Sequence, residues 1–119
     1  MKENIAVFES RNVRRLYDEK TETWYFSVVD IIGVLTESEN PRRYWSDLKR
    51  KLTKEGSQAY EKIVRLKLTA EDGRKRLTDV ADAETLFRLI QSVPSPKAEP
   101  IKLWLAQVGY ERIKETEDP

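Results

Sequence analysis

Trp24-Tyr25-Phe26-Ser27-Val28-Val29-Asp30-Ile31-Ile32 holds a strand, a helix start and a buried stripe in one short run. The three aromatics are residues that strands favour. The Ser27 hydroxyl can take up free backbone N–H groups, and Asp30, three residues on, completes a capping-box pattern. Asp30 is therefore read as structural, a helix-capping acid. Val28, Ile31, Ile32 and Leu35 follow at the i, i+3, i+4, i+7 spacing of one apolar helical face.

Toward the N-terminus, Ile5 to Phe8 is short and apolar. Val13 to Tyr17 alternates, with Val13, Arg15 and Tyr17 on one side and Arg14 and Leu16 on the other. With the polar run Asp18-Glu19-Lys20-Thr21-Glu22 before Trp24, this predicts three short antiparallel strands. Toward the C-terminus, Thr36-Glu37-Ser38-Glu39-Asn40 breaks the first helix. A second helix is predicted from Asn40 as cap and Pro41 in the first turn to Gly56 as stop. Tyr44, Trp45, Leu48 and Leu52 share one of its faces.

Val64-Arg65-Leu66-Lys67-Leu68-Thr69 alternates strictly, and Asp72-Gly73 is a preferred two-residue turn. The return strand is then Arg74 to Thr78, with Leu68 opposite Leu77, Thr69 opposite Arg76 and Lys67 opposite Thr78. That register makes one face of the ribbon apolar and the other basic. Asp79 is expected to cap a third helix carrying Ala83, Leu86, Phe87, Leu89 and Ile90, which Pro94-Ser95-Pro96 ends. A last helix starts near Pro100 and buries Ile101, Trp104, Leu105 and Val108. Beyond Gly109 the sequence turns polar, through Glu111, Glu115, Glu117 and Asp118. This end reads either as the fraying of a terminus or as a lead into a further region. The expected fold is α+β: a small antiparallel sheet of N-terminal strands plus a basic β-hairpin, with four to five helices including a helix-loop-helix pair. Residues 5–110 form the domain and residues 111–119 a polar helical extension.

A chain of 119 residues suits one domain. It contains no cysteine and no histidine, which excludes disulfide scaffolds, thiol chemistry, histidine triads and nearly every zinc enzyme. No apolar run nears the roughly 18 residues of a membrane span, and the start lacks the apolar stretch of a signal peptide. A soluble, cytoplasmic, non-enzymatic domain is the expectation, with no cofactor, no metal and no small-molecule substrate.

The net charge of +1 conceals a strong asymmetry. Between Pro41 and Arg76 stand twelve Lys and Arg against five Asp and Glu, a local +7 that leaves −6 for the remainder. On the second helix, burying Tyr44, Trp45, Leu48 and Leu52 turns Arg43, Arg50 and Lys54 outward and places Arg42 and Lys49 on one shoulder. The hairpin is expected to present Arg65, Lys67, Arg74 and Arg76 on its solvent face. A helix and a two-stranded ribbon both fit the DNA major groove, and cations on them gain affinity by releasing counterions from phosphates. These nine residues are the candidate contacts to double-stranded DNA.

The aromatic strand and Asp-opened helix at Trp24 to Ile32, followed by Leu35 and Asn40-Pro41-Arg42, resemble the BRO family N-terminal domain of large-DNA-virus proteins and prophage antirepressors. Leu77-Thr78-Asp79 and Pro94-Ser95-Pro96-Lys97-Ala98-Glu99-Pro100, leading into Leu103-Trp104-Leu105-Ala106, are similar to a bacterial branch that includes relatives of DNA-damage-inducible protein D. The resemblance spans about Ile5 to Tyr110 and implies a helix-turn-helix-like DNA-binding module of a prophage transcription regulator, fused to a variable C-terminal region. It brings no catalytic residues. Trp24, Phe26, Trp45 and Trp104 match apolar family positions and are expected in the core.

Two other functions compete. A protein-interaction module would use the same basic face to seize a repressor or a second copy of the chain. A metal-dependent nuclease would need converging carboxylates. Its candidates, Glu71 with Asp72 and Asp79 with Asp82, are better read as a turn and a helix cap.

Overall fold

The computed structural model describes residues 1–111. Its five strands, β1 (Lys2–Phe8), β2 (Arg11–Asp18), β3 (Thr23–Ser27), β4 (Val64–Thr69) and β5 (Lys75–Ala81), form one antiparallel sheet in the order β1-β2-β3-β5-β4. Five helices complete an α+β fold: α1 (Val28–Thr36), α2 (Pro41–Glu55), α3 (Gln58–Glu61), α4 (Ala83–Gln91) and α5 (Ala98–Val108).

The local signals act as expected around α1 and α2. Ser27 caps α1, its hydroxyl accepting from the Asp30 N–H at 3.3 Å. Asn40 caps α2 by accepting from the Arg43 N–H at 3.1 Å, and Gly56 closes it in the left-handed conformation at φ 69°. Val28, Ile31, Ile32 and Leu35 are buried, as are Trp45, Leu48 and Leu52. Tyr44 is half-buried at the core margin.

Asp30, however, is not the cap. Its carboxylate accepts from the backbone N–H and the guanidinium of Arg14 at 2.8–3.0 Å. β3 leaves the sheet for α1 at this point, and Asp30 takes up an N–H of β2 beside the end of the β2–β3 pairing.

The hairpin is longer than the sequence suggests. Val80 pairs with Ser27 and Ala81 with Phe26, so β5 continues through Asp79 and joins the ribbon to the sheet. The cap of α4 is consequently Asp82, which accepts from the Thr85 N–H at 2.8 Å, and not Asp79. α5 begins at Ala98, with Pro100 inside its first turn. A Cβ on Gly109, just past α5, would lie 2.7 Å from the Ala83 Cβ, so glycine permits the close approach of α5 to the start of α4. The polar extension expected beyond residue 111 lies outside the described residues.

The main core fills the sheet face that carries Val13, Tyr17, Trp24 and Phe26, against buried Ile31, Ile32, Leu86, Leu89, Ile101 and Leu105. Trp24, Phe26 and Trp45 belong to it, and Trp104 packs edge-to-face on Phe8 and Phe26. A smaller cluster on the other face joins Leu16, Leu68 and Val80.

Candidate nucleic-acid interface

α2 is the first wall of the site. Its apolar stripe fixes the rotation of the helix, which leaves Arg42, Arg43, Arg50 and Lys54 exposed. Lys49 is half-buried on the shoulder facing the ribbon, where Arg42 also lies. Arg43, Arg50 and Lys54 stand on the face opposite Trp45, Leu48 and Leu52. Arg50 pairs with Asp47 one turn back, whereas Arg42, Arg43 and Lys54 have no ion-pair partner among the described residues.

The β4–β5 ribbon is the second wall, and its register differs from the sequence expectation by one residue. Lys67 faces Leu77, Leu68 faces Arg76 and Thr69 faces Lys75. The loop is three residues, Glu71-Asp72-Gly73, rather than two. The Gly73 N–H donates to the Ala70 carbonyl at 2.9 Å, Gly73 sits at φ 81°, and the Ala70 N–H donates to the Arg74 carbonyl. This is a type I turn closed by a glycine bulge, a second geometry that Asp-Gly serves equally well.

A slip of one residue changes which side chains share a face. Arg65 and Lys67 now lie with Leu77 and Asp79, while Arg74 and Arg76 lie with Leu66 and Leu68 on the reverse. The expected single basic face of Arg65, Lys67, Arg74 and Arg76 is therefore split between two sides. All four cations remain exposed. Arg76 is paired with Asp72, and Lys67 and Arg74 have no ion-pair partner among the described residues.

Helix and ribbon meet across a cleft of about 290 Å³. Arg42, Ser46 and Lys49 line it from α2, and Arg65, Arg76 and Leu77 from the ribbon. At its base the Asp79 carboxylate accepts from the Trp45 indole N–H at 2.8 Å and from the Lys49 ammonium at 3.0 Å. The Arg65 guanidinium stands 3.7 Å from the same carboxylate. Asp79 thus stands between one cation from each wall of the cleft.

This cleft opens past Arg14, Val29, Arg42 and Ala70 into a larger one of about 860 Å³. Polar tethers from the N-terminal strands secure the ribbon there. Arg14 donates to the Thr69 carbonyl at 3.1 Å, and Glu3 accepts from the Thr69 N–H, the Thr69 hydroxyl and Lys75 at 3.0–3.1 Å. Burial pushes the Glu3 carboxyl up, but the hydrogen bonds from Lys75 and Thr69 outweigh it and hold the group below the usual glutamate value. At the turn, Arg76 and then the Arg74 N–H hold Asp72 below the usual aspartate value.

Of the nine predicted contacts, Arg42, Lys49, Arg65 and Arg76 line one cleft; Arg43, Arg50, Lys54, Lys67 and Arg74 line neither. The sequence reading missed Arg14, Asp79 and Leu77. Arg14 carries no local signal because its partners are distant in the chain, Asp79 carries the misleading one of a helix cap, and a two-residue turn puts Leu77 on the wrong face. Three of the four nuclease candidates are engaged in other contacts, Asp72 in the turn, Asp79 with Trp45 and Lys49, and Asp82 at the head of α4, while Glu71 lines the larger cleft. Among the described residues no group of three or more carboxylates is placed to hold a metal ion, and no helix is long and apolar enough to cross a membrane.

Neither a curated protein nor a solved structure gives a significant match to this sequence. The family model described as "BRO family, N-terminal domain" matches residues 12–110, a span running from β2 through α5 and including both walls of the cleft. The chain belongs to the BRO family and carries its N-terminal domain.

Proposed function

We propose that this domain binds double-stranded DNA, with the shoulder of α2 and the β4–β5 ribbon meeting the duplex from the two sides of their shared cleft. The observation that supports this most is the lining of that cleft, where Arg42 and Lys49 from one element stand with Arg65 from the other. Arg42 and Lys67 have no ion-pair partner among the described residues, so neither must first leave a carboxylate there to meet phosphate. Lys49 and Arg65 are held in place by Asp79, so they meet an incoming phosphate already oriented.

Four to five phosphate contacts give a slope of log K against log salt near about −4, at roughly −0.9 per contact. A fluorescence anisotropy titration with a short duplex from about 50 to about 200 mM salt measures it. A flat response would contradict direct DNA binding. In the same reading the domain is the DNA-contacting part of a cytoplasmic, phage antirepressor-like transcription regulator. Relationship to the DNA-damage-inducible protein D branch rests on Leu77-Thr78-Asp79 and the proline-rich run before α5.

A second reading, a module that docks on a repressor or on a second copy of the chain, is favoured by the ion pairs at Lys49, Arg50, Arg65 and Arg76, which reduce the positive field. Light scattering with and without duplex separates the two. Self-association that duplex does not alter, together with no duplex binding, selects the docking module.

A further inference from the structure

Leu77 is 54% exposed and packs into neither apolar cluster. Exposed leucines are common and need no explanation in isolation. Leu77 is set apart by its setting. The other residues of β4 and β5 on its side of the ribbon, Arg65, Lys67, Thr69, Lys75 and Asp79, are all polar, apart from Ala81 where the strand enters the core. Its direct cross-strand neighbour is Lys67, and it lines the cleft shared with Arg42, Lys49 and Arg65. A single large apolar side chain ringed by cations is poorly suited to phosphate. It is well suited to the one apolar group that the major groove presents, the C5-methyl of thymine.

We infer that Leu77 is a specificity-determining residue that contacts a thymine methyl group while the cations around it hold the backbone. The inference rests on the DNA-binding reading and adds to it a base preference, which phosphate contacts cannot supply. Leu77 contributes nothing to the apolar core, so shortening it leaves the fold intact.

The test compares two AT-rich duplexes of identical sequence, one of them carrying deoxyuridine in place of every thymine. Burial of a methyl group predicts about fourfold tighter binding of the thymine duplex by the wild-type domain. Leu77→Ala is expected to bind both duplexes equally, with an unchanged salt slope. Equal affinity of the wild type for the two duplexes would overturn the inference while leaving DNA binding intact. So would a thymine preference that persists in Leu77→Ala, because duplex shape would then be its source. Failure of the wild type to bind either duplex would overturn the DNA-binding reading itself.

Discussion

The helix-packed half of the sheet and the β4–β5 ribbon are held in place by different forces. On the side of β1, β2 and β3, fully buried Val13, Phe26, Leu86 and Leu105 build a continuous apolar core. The ribbon has only Leu68, Val80 and Ala81 fully buried, and it joins β3 through two residue pairs. Its remaining anchorage is polar, through Glu3, Arg14 and Asp79. Apolar burial resists unfolding without fixing direction, whereas hydrogen-bonded charges add less stability but orient what they hold. Stability should therefore reside in the first region, and the aim of the cations in the second.

The largest expected effect breaks the core. Phe26→Ala removes a fully buried ring and should cost about 3–5 kcal/mol, read as a fall in denaturant midpoint. Arg14→Ala acts where the two regions meet. It strips Asp30 of its guanidinium partner and Thr69 of a donor, and a loss of about 1.5–3 kcal/mol is expected. Hydrogen exchange should quicken chiefly in β4 and β5. Uniform quickening across the sheet would show that the ribbon is no separate unit.

Glu3 offers a smaller probe. A carboxyl held below its unfolded-chain value stabilises the fold above that value, and the gain is lost as pH falls through the folded value. The wild type should lose this contribution below about pH 4.5, the ordinary glutamate value, and Glu3→Gln should flatten that part of the acid limb. The difference at neutral pH is expected to stay under about 1 kcal/mol. An unchanged acid limb would remove Glu3 from the tethers.

The same division explains what could be read from the sequence. α1 and α2 were legible because their signals are local: Ser27, Asn40-Pro41, Gly56 and stripes at helical spacing. The ribbon was legible as a hairpin but not in register, since Asp72-Gly73 serves a two-residue and a three-residue loop alike. Pairing of Val80 and Ala81 with Ser27 and Phe26 decided the length of β5, and that pairing lies outside any local window. Asp79 consequently looks like a helix cap in sequence, and Asp30 looks like a partner of Ser27 although its carboxylate binds Arg14. Arg42 and Lys49 could be placed on the correct shoulder of α2. That this shoulder faces the ribbon required the tertiary fold.

Charge reversal at the α2 shoulder and the ribbon, set against charge reversal on the outer face of α2, tests the shared interface most directly. Duplex affinity and its salt slope are to be measured for Arg42→Glu with Lys67→Glu, and separately for Arg43→Glu with Lys54→Glu; all four side chains are exposed and without ion-pair partners among the described residues. The first pair is expected to reduce the slope by about two units and to weaken binding far more than the second. Equal losses from both pairs, or a greater loss from the second, would contradict it.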